Sequence, residues 1–416
     1  MIYRHVLKNG LRVVIEELAS VRSVSIGVWV GAGSRYESIE INGISHLIEH
    51  MLFKGTKHHT ARQLAEKFDS IGGQVNAFTS KEYTCYYAKV LDEHFPYALE
   101  LLADMYFHSL FEPQELEKEK KVILEEIKMY EDTPDELVHE LLAKAAFAEH
   151  PLGASVAGTK EALGGLTRDD LLQYMRQAYT PDNTVIAIAG HVRPDALELV
   201  EQAFSQFTST IHTLPDQKAD FHHRSIFYPK ETEQVHLCLG FPGLSFKDER
   251  LYSLVALNNI LGGSMSSRLF QQIREDCGLA YSVYSYHSSF KQEGIFAIYT
   301  GTAPEHVETV LKLTLDIIQQ IRSNGITEEE LRKAREQIKG SLMLSLESTN
   351  SRMSRLGRNE LLLGKHWSLD ELLAQLNRVT LEEVHEVAQA IFCDPPAVAT
   401  VGEDEQLAKL RRALGT

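Results

Sequence analysis

Val24-Ser25-Ile26-Gly27-Val28 returns 211 positions later as Val235-His236-Leu237-Cys238-Leu239, and this recurrence decides the fold. Both runs have the apolar, β-branched character of strands. Further along, Val185-Ile186-Ala187-Ile188-Ala189-Gly190 is matched by Ala397-Val398-Ala399-Thr400-Val401-Gly402 at an offset of 212. Two offsets that agree across about 160 residues point to a duplicated domain. The order between the anchors repeats as well: strand, helices, strands, long helices, strand. The 416 residues fit this reading, because single cores usually stop growing near roughly 250 to 300 residues. The expected units are 1–211 and 225–416. They are joined by 212–224, where Pro, Asp and three histidines replace any periodic pattern.

Within the first unit, Asn9-Gly10 marks a turn before strands at Leu11–Glu16 and Val24–Val30. Thr60-Ala61-Arg62-Gln63 reads as a capping box that opens a helix, with Gly72-Gly73 ending it. Gln74–Ser80 and Tyr83–Val90 read as paired strands. Helices are expected from about 93 to 108, from about 113 to 130 with Pro113 in the first turn, and from about 134 to 148.

Between the strand at Val24 and the capping box lies Gly43-Ile44-Ser45-His46-Leu47-Ile48-Glu49-His50-Met51-Leu52-Phe53. On a helix, His46 and His50 stand one above the other and can aim two ring nitrogens at one ion, with Glu49 beside them. Imidazole pairs at this spacing hold zinc, and a carboxylate beside the metal can take the proton of a bound water. The order H-x-x-E-H inverts the commoner H-E-x-x-H zinc protease motif. Ile44, Leu47, Ile48, Met51 and Leu52 surround the polar trio, so its groups are buried at a cost and need partners. At an offset of 211 the duplicate has Leu257, Ile260 and Leu261 instead. The second half keeps the scaffold without the metal motif.

A catalytic zinc normally takes three protein ligands and leaves a position open. The helix after Pro113 offers Glu115, Glu117, Glu119, Glu125 and Glu126, with Glu119 and Glu126 two turns apart on one face. Spacing does not choose among them, and Glu117 with Lys121 could equally form a solvated pair. His58, His59, His222 and His223 have no carboxylate at ligand spacing and read as surface residues.

The rest of the composition narrows the function by exclusion. The net charge of −16 argues against nucleic acid or an anionic membrane surface as partner and favours cationic ones. No apolar run of about 18 residues could span a bilayer, and the first residues lack a secretory signal's apolar core, so the expected compartment is the cytoplasm. Cys85, Cys238, Cys277 and Cys393 form no C-x-x-C pair. Gly31-Ala32-Gly33 lacks the third glycine of a dinucleotide loop, and Gly262-Gly263 lacks the Lys-Ser or Lys-Thr of a phosphate loop.

His46-Leu47-Ile48-Glu49-His50 followed by Glu126, 76 positions after the second histidine, resembles the signature of the pitrilysin family of zinc peptidases. That family includes mitochondrial processing peptidase, insulin-degrading enzymes and bacterial processing proteases. The resemblance extends to Gly72–Thr79, to Glu119 seven residues before Glu126, to Gly262–Leu269 and to Arg274–Tyr281, and so covers essentially the whole chain. It implies an α+β fold of two homologous α/β-sandwich halves, each a mostly antiparallel sheet packed with helices, facing each other across a cavity.

Carried over residue by residue, the resemblance implies that His46, His50 and Glu126 bind one zinc ion per chain and that Glu49 is the general base. Glu119 would orient a ligand histidine. Asn76, Ala77 and Phe78 would lie on the sheet edge that pairs with a substrate backbone. Arg274 and Tyr281 would contact the substrate and its developing oxyanion. The implied activity is zinc-dependent endopeptidase action on basic or presequence-like peptides by a homodimer. A non-catalytic scaffold subunit is the rival within the family, but such subunits usually lose part of the motif, and this chain keeps all of it. A metal-dependent hydrolase of non-peptide substrates fits less well with an edge strand suited to a peptide backbone.

Overall fold

Asn9-Gly10 does turn the chain. Strands β1 (Ile2–Val6) and β2 (Arg12–Glu17) pair antiparallel around it, with Gly10 at φ 94°. A computed structural model of the chain describes residues 2–208 and 211–415. The first sheet adds β3 (Ser23–Val30), β4 (Gln74–Thr79), β5 (Thr84–Leu91) and β6 (Thr184–Gly190) in the order β1-β2-β6-β3-β5-β4. The second holds β7 (Ser225–Pro229), β8 (Val235–Pro242), β9 (Ala280–Ser289), β10 (Gly294–Thr302) and β11 (Ala397–Gly402) in the order β7-β11-β8-β10-β9. Each sheet has one parallel pair, β2 with β6 and β7 with β11, and is otherwise antiparallel.

The duplication is visible at the level of register. Val28 lies opposite Ile186 in the first sheet, and Leu239 lies opposite Val398 in the second. Those partners differ by the 211 and 212 positions read from the sequence. The fold is α+β, two homologous units built on two mixed sheets.

Five helices follow the early strands: α1 (Ile44–Leu52), α2 (Ala61–Ser70), α3 (Phe95–His108), α4 (Pro113–Asp132) and α5 (Pro134–Phe147). The capping box at Thr60 forms as its residues predict, with the Gln63 N–H donating to the Thr60 side chain and the Thr60 N–H donating to Gln63. One face of the first sheet, with Val24, Ile26 and Val28, packs on α1 and α3 through Leu47, Ile48, Leu99 and Leu102. The opposite face carries Val14, Trp29, Val185, Ala187 and Ala189 and is also buried. Burial on both faces explains why β3 and β6 read as nearly continuous apolar runs.

The cover for that second face comes from far along the chain. The helix Thr349–Leu362 lays Met353 and Leu356 on it, and the Trp29 indole N–H donates to Met353 Sδ at 3.2 Å. Each such apolar side chain contributes about 1.5 to 3 kcal/mol when fully buried. Gly357 makes the approach possible, because a Cβ there would stand 2.2 Å from the indole nitrogen. The second sheet is covered reciprocally: α5 sets Val138, Leu142, Ala145 and Ala146 against Cys238, Ala297, Ala397, Ala399 and Val401.

The compact units are therefore Met1–Ile127 with Ser155–Gln217 and Met343–Ser368, and Lys128–Ala154 with Lys218–Leu342 and Leu369–Thr416. The division at 211 and 225 describes the duplication. It does not describe the packing, because each repeat lends a helix to the other's sheet. Residues 212–224 have no regular secondary structure. Among the described residues, no helix is long and apolar enough to cross a membrane.

Candidate active site

Helix α1 begins at Gly43, which sits at φ 95° with the backbone of Ala157 and Gly158 so close that a Cβ would meet it at 2.8 Å. No side chain at the cap position satisfies the first N–H groups. Glu37 does so instead: its buried carboxylate accepts from the N–H of Gly43 (2.7 Å), the N–H of Ser45 (2.9 Å) and the Asn42 amide (3.1 Å). A carboxylate suits a helix N-terminus, where the backbone dipole presents positive charge.

Ile44, Leu47, Ile48, Met51 and Leu52 face the core and are at most 1% exposed, so His46, Glu49 and His50 share the remaining face. The two imidazole rings stand 4.6 Å apart. Their Nε2 atoms lie 3.8 and 3.9 Å from a single oxygen, Oε2 of Glu126. These separations are too long for hydrogen bonds, yet the three donors converge within 4.8 Å of one another. Two ligands of a tetrahedral zinc, each about 2.0 to 2.1 Å from the ion, stand roughly 3.3 to 3.4 Å apart, so the set fits a zinc ion after a small closure. Burial, and then the neighbouring His50, push His46 down to about 4, which keeps its ring neutral and a lone pair available.

The structure also chooses among the glutamates of α4. Leu116, Glu119 and Ile123 form its buried stripe, and Glu126 continues it at partial exposure. Glu119 is 5% exposed and takes the Nδ1–H of His50 at 3.1 Å, which leaves Nε2 of that ring for a metal. Lys54 holds the other oxygen of Glu119 at 2.8 Å. Glu115 pairs with Lys118, and Glu117 pairs with Lys120 in place of the Lys121 expected from spacing.

Glu49 is half-buried and accepts the Thr79 hydroxyl at 2.5 Å. Burial pushes its carboxyl up, Thr79 and His50 pull against that, and Glu126 adds to it; the net direction is upward. Such a group holds a proton more readily than an ordinary glutamate, as a general base must. Thr79 itself closes β4, the strand at the open edge of the first sheet. The edge that ends on Glu49 carries Asn76, exposed, and Ala77, whose N–H donates to the Asn76 side chain at 2.8 Å. The Phe78 ring is half-buried and packs edge-on against Trp29 at 5.6 Å. Sequence reasoning missed Thr79, Lys54 and Glu37. Polar residues at those positions are common in any chain, and only the fold aims them at α1.

Arg274 and Tyr281 belong to the second unit. Arg274 lies in a π-helical segment, Phe270–Asp276, with its guanidinium over the rings of Phe270 (4.7 Å) and Tyr281 (4.8 Å). Tyr281 is the second residue of the edge strand β9 and is 77% exposed. The reading of His58 and His59 as lacking a carboxylate partner is overturned, because both reach Asp104 on α3; His58 is exposed, as expected, whereas His59 is half-buried. His223 is exposed, as expected.

Residues 12–160 match a family model described as insulinase (peptidase family M16), and residues 165–338 match one described as peptidase M16 inactive domain. The chain is 55% identical over 401 residues to the uncharacterized zinc protease YmxG of Bacillus subtilis, covering 96% of this chain and 98% of that one. An uncharacterized zinc protease of Streptomyces coelicolor is 40% identical over 425 residues, covering 99% and 92%. Among solved structures, a protease from Helicobacter pylori has a TM-score of 0.89 at 23% identity, covering 96% of this chain and 98% of that one. A peptidase M16 inactive domain from Pseudomonas fluorescens has a TM-score of 0.90 at 23% identity, covering 97% and 98%. At that identity the two structures speak to the fold alone.

Proposed function

The chain belongs to peptidase family M16, and from that premise we propose that it is a zinc metalloendopeptidase with Glu49 as general base. The observation that carries this reading is the convergence of His46, His50 and Glu126 within 4.8 Å, beside a half-buried Glu49 at the end of an open sheet edge. Zinc bound by those three residues would polarise the scissile carbonyl and lower the pKa of a bound water toward about 7.

The remaining work falls to the protein's own side chains. A peptide added in extended form along β4 satisfies backbone groups on the open edge and brings a carbonyl toward Glu49. Glu49 accepts a proton from the attacking water and passes it to the leaving amide nitrogen. Thr79 holds one oxygen of Glu49 and leaves the other to take the proton. Glu119 fixes the His50 ring, and Lys54 fixes Glu119. The family resemblance alone assigns Arg274 and Tyr281 the part of donors to the carbonyl oxygen as it gains charge, a role in which one donor is worth about 3 to 4 kcal/mol.

The deciding experiment is peptide hydrolysis by wild type and Glu49→Gln, each assayed for bound zinc. The variant should keep its zinc and lose about 10²- to 10⁴-fold in rate, the usual contribution of a positioned base. Full activity in a zinc-loaded variant would remove Glu49 from that role. A wild type that binds no zinc would end the reading altogether. We further propose that basic or presequence-like peptides are preferred, given the net charge of −16. Cleavage of neutral and acidic peptides as fast as of basic ones would refute that preference. A homodimer and a cytoplasmic location complete the proposal, testable by light scattering and by cell fractionation.

A further inference from the structure

Among the described residues, one further group has metal-binding side chains close together: His58, Asp104 and His108, whose donor atoms lie within 4.8 Å of one another. Asp104 and His108 are four apart on α3 and therefore share a face. The loop after α1 is laid over that face by backbone bonds, with the Lys57 N–H donating to His108 O (2.9 Å) and the Leu110 N–H to Gly55 O (3.1 Å). Thr56 then organises the loop: its hydroxyl oxygen accepts from the N–H of His58 and of His59 and donates to Asp104 Oδ2 at 2.6 Å.

Asp104 is the centre of the cluster and is only 7% exposed. Its two oxygens are used differently. Oδ2 is anchored by Thr56 and by Nδ1 of His59 at 3.0 Å, whereas Oδ1 faces Nδ1 of both His58 (2.5 Å) and His108 (3.0 Å). Burial pushes its carboxyl up, but hydrogen bonds from Thr56 and the three histidines outweigh that and hold it at about 2, so it is charged at neutral pH. The rings of His58 and His108 meet edge to face at 4.8 Å, and Gln206 reaches Nε2 of His108 at 3.1 and 3.2 Å through its two amide atoms. The group opens on a cleft of about 680 Å³ that includes Glu100 and Gln206 in its lining, which gives an ion a way in.

Two imidazole nitrogens and a carboxylate oxygen whose partner oxygen is fixed by other bonds are a donor set suited to zinc and its neighbours. We propose that His58, Asp104 and His108 form a second binding site for a divalent transition-metal ion of the zinc class, with Thr56 and His59 orienting the carboxylate. The ion takes the place of the protons now shared between Oδ1 and the two rings. Ligands about a tetrahedral zinc stand roughly 3.3 to 3.4 Å apart, so the His58 ring must draw back from Oδ1. Its side chain is 56% exposed on a loop and can do so.

The test uses the full chain with His46→Ala and His50→Ala, so that the first centre cannot report. Equilibrium dialysis against Zn²⁺ should find one ion per chain, and Co²⁺ should give a visible ligand-field spectrum. Both signals should vanish on adding His58→Asn and His108→Gln, which keep an N–H available for Asp104. Circular dichroism and the melting curve show whether these variants are folded. If the doubly substituted chain takes up no Zn²⁺, or if the further pair leaves uptake unchanged, the cluster is a hydrogen-bonded clasp only and the proposal is overturned. The outcome is independent of peptidase activity.

Discussion

Glu119 never needs to touch a metal to matter. Buried at 5% exposure, it takes the Nδ1–H of His50 and so selects the tautomer whose Nε2 is free. Replacement by Gln should lower zinc affinity by about 10- to 100-fold, as loss of such supporting carboxylates does elsewhere, measurable by competition with a chromophoric chelator. An unchanged affinity would leave Lys54 as the only reason for that carboxylate. Thr79→Val should leave zinc binding intact but lower kcat for peptide hydrolysis about tenfold, because Glu49 loses the one hydroxyl that fixes it. A variant with wild-type kcat would show that the base is positioned otherwise. His46, Glu49 and His50 were legible in the sequence because a helix fixes which residues share a face. Glu126 was not separable from Glu119 by spacing, since both lie on one stripe of α4 and only packing decides which reaches the rings. The carboxylate partner of His58 and His59 was missed for the same reason, as it comes from a helix more than 40 residues further along.

Most elements were legible too, and for a local cause: caps, turn residues and period agree with the structure at Thr60 and Asn9-Gly10. What no local signal shows is which sheet a helix covers. Thr349–Leu362 is tied to the first sheet partly through Glu360, whose buried carboxylate accepts Arg4 Nε of β1 at 3.0 Å and lies 2.9 Å from Nε2 of His366. Burial pushes Glu360 up, but the bonds from His366 and Arg4 outweigh it and hold the carboxyl below its ordinary value. A lowered folded-state pKa means that this stabilisation is complete above the unfolded value of about 4.3 and is lost as pH falls through the folded one. Glu360→Gln should therefore cost about 1 to 3 kcal/mol at pH 7, where it strands Arg4 and His366. Its melting temperature should also fall less steeply than the wild type's as pH drops below about 4.3. Parallel pH curves would count against the assignment.

At the scale of the molecule, the two repeats cannot be finished separately. Residues 1–211 contain the first sheet but not the helix that covers Trp29, Val14 and Val185, and residues 225–416 lack α5. Expressed alone, either piece should give no sharp thermal transition and should aggregate; expressed together, they should recover one. A residues 1–211 fragment that melted as sharply as the whole chain would contradict the exchange. The same exchange says something about descent. A single-repeat ancestor with this architecture would have one greasy sheet face and a helix that does not reach it. It would meet both needs only by trading helices with a second copy of itself. Gene fusion would then have joined a pair already dependent on each other, and the segment 212–224 would have replaced a gap between two chains. In such a pair only one copy would need the polar trio, and at the equivalent places in the other Leu257, Ile260 and Leu261 are buried and serve packing.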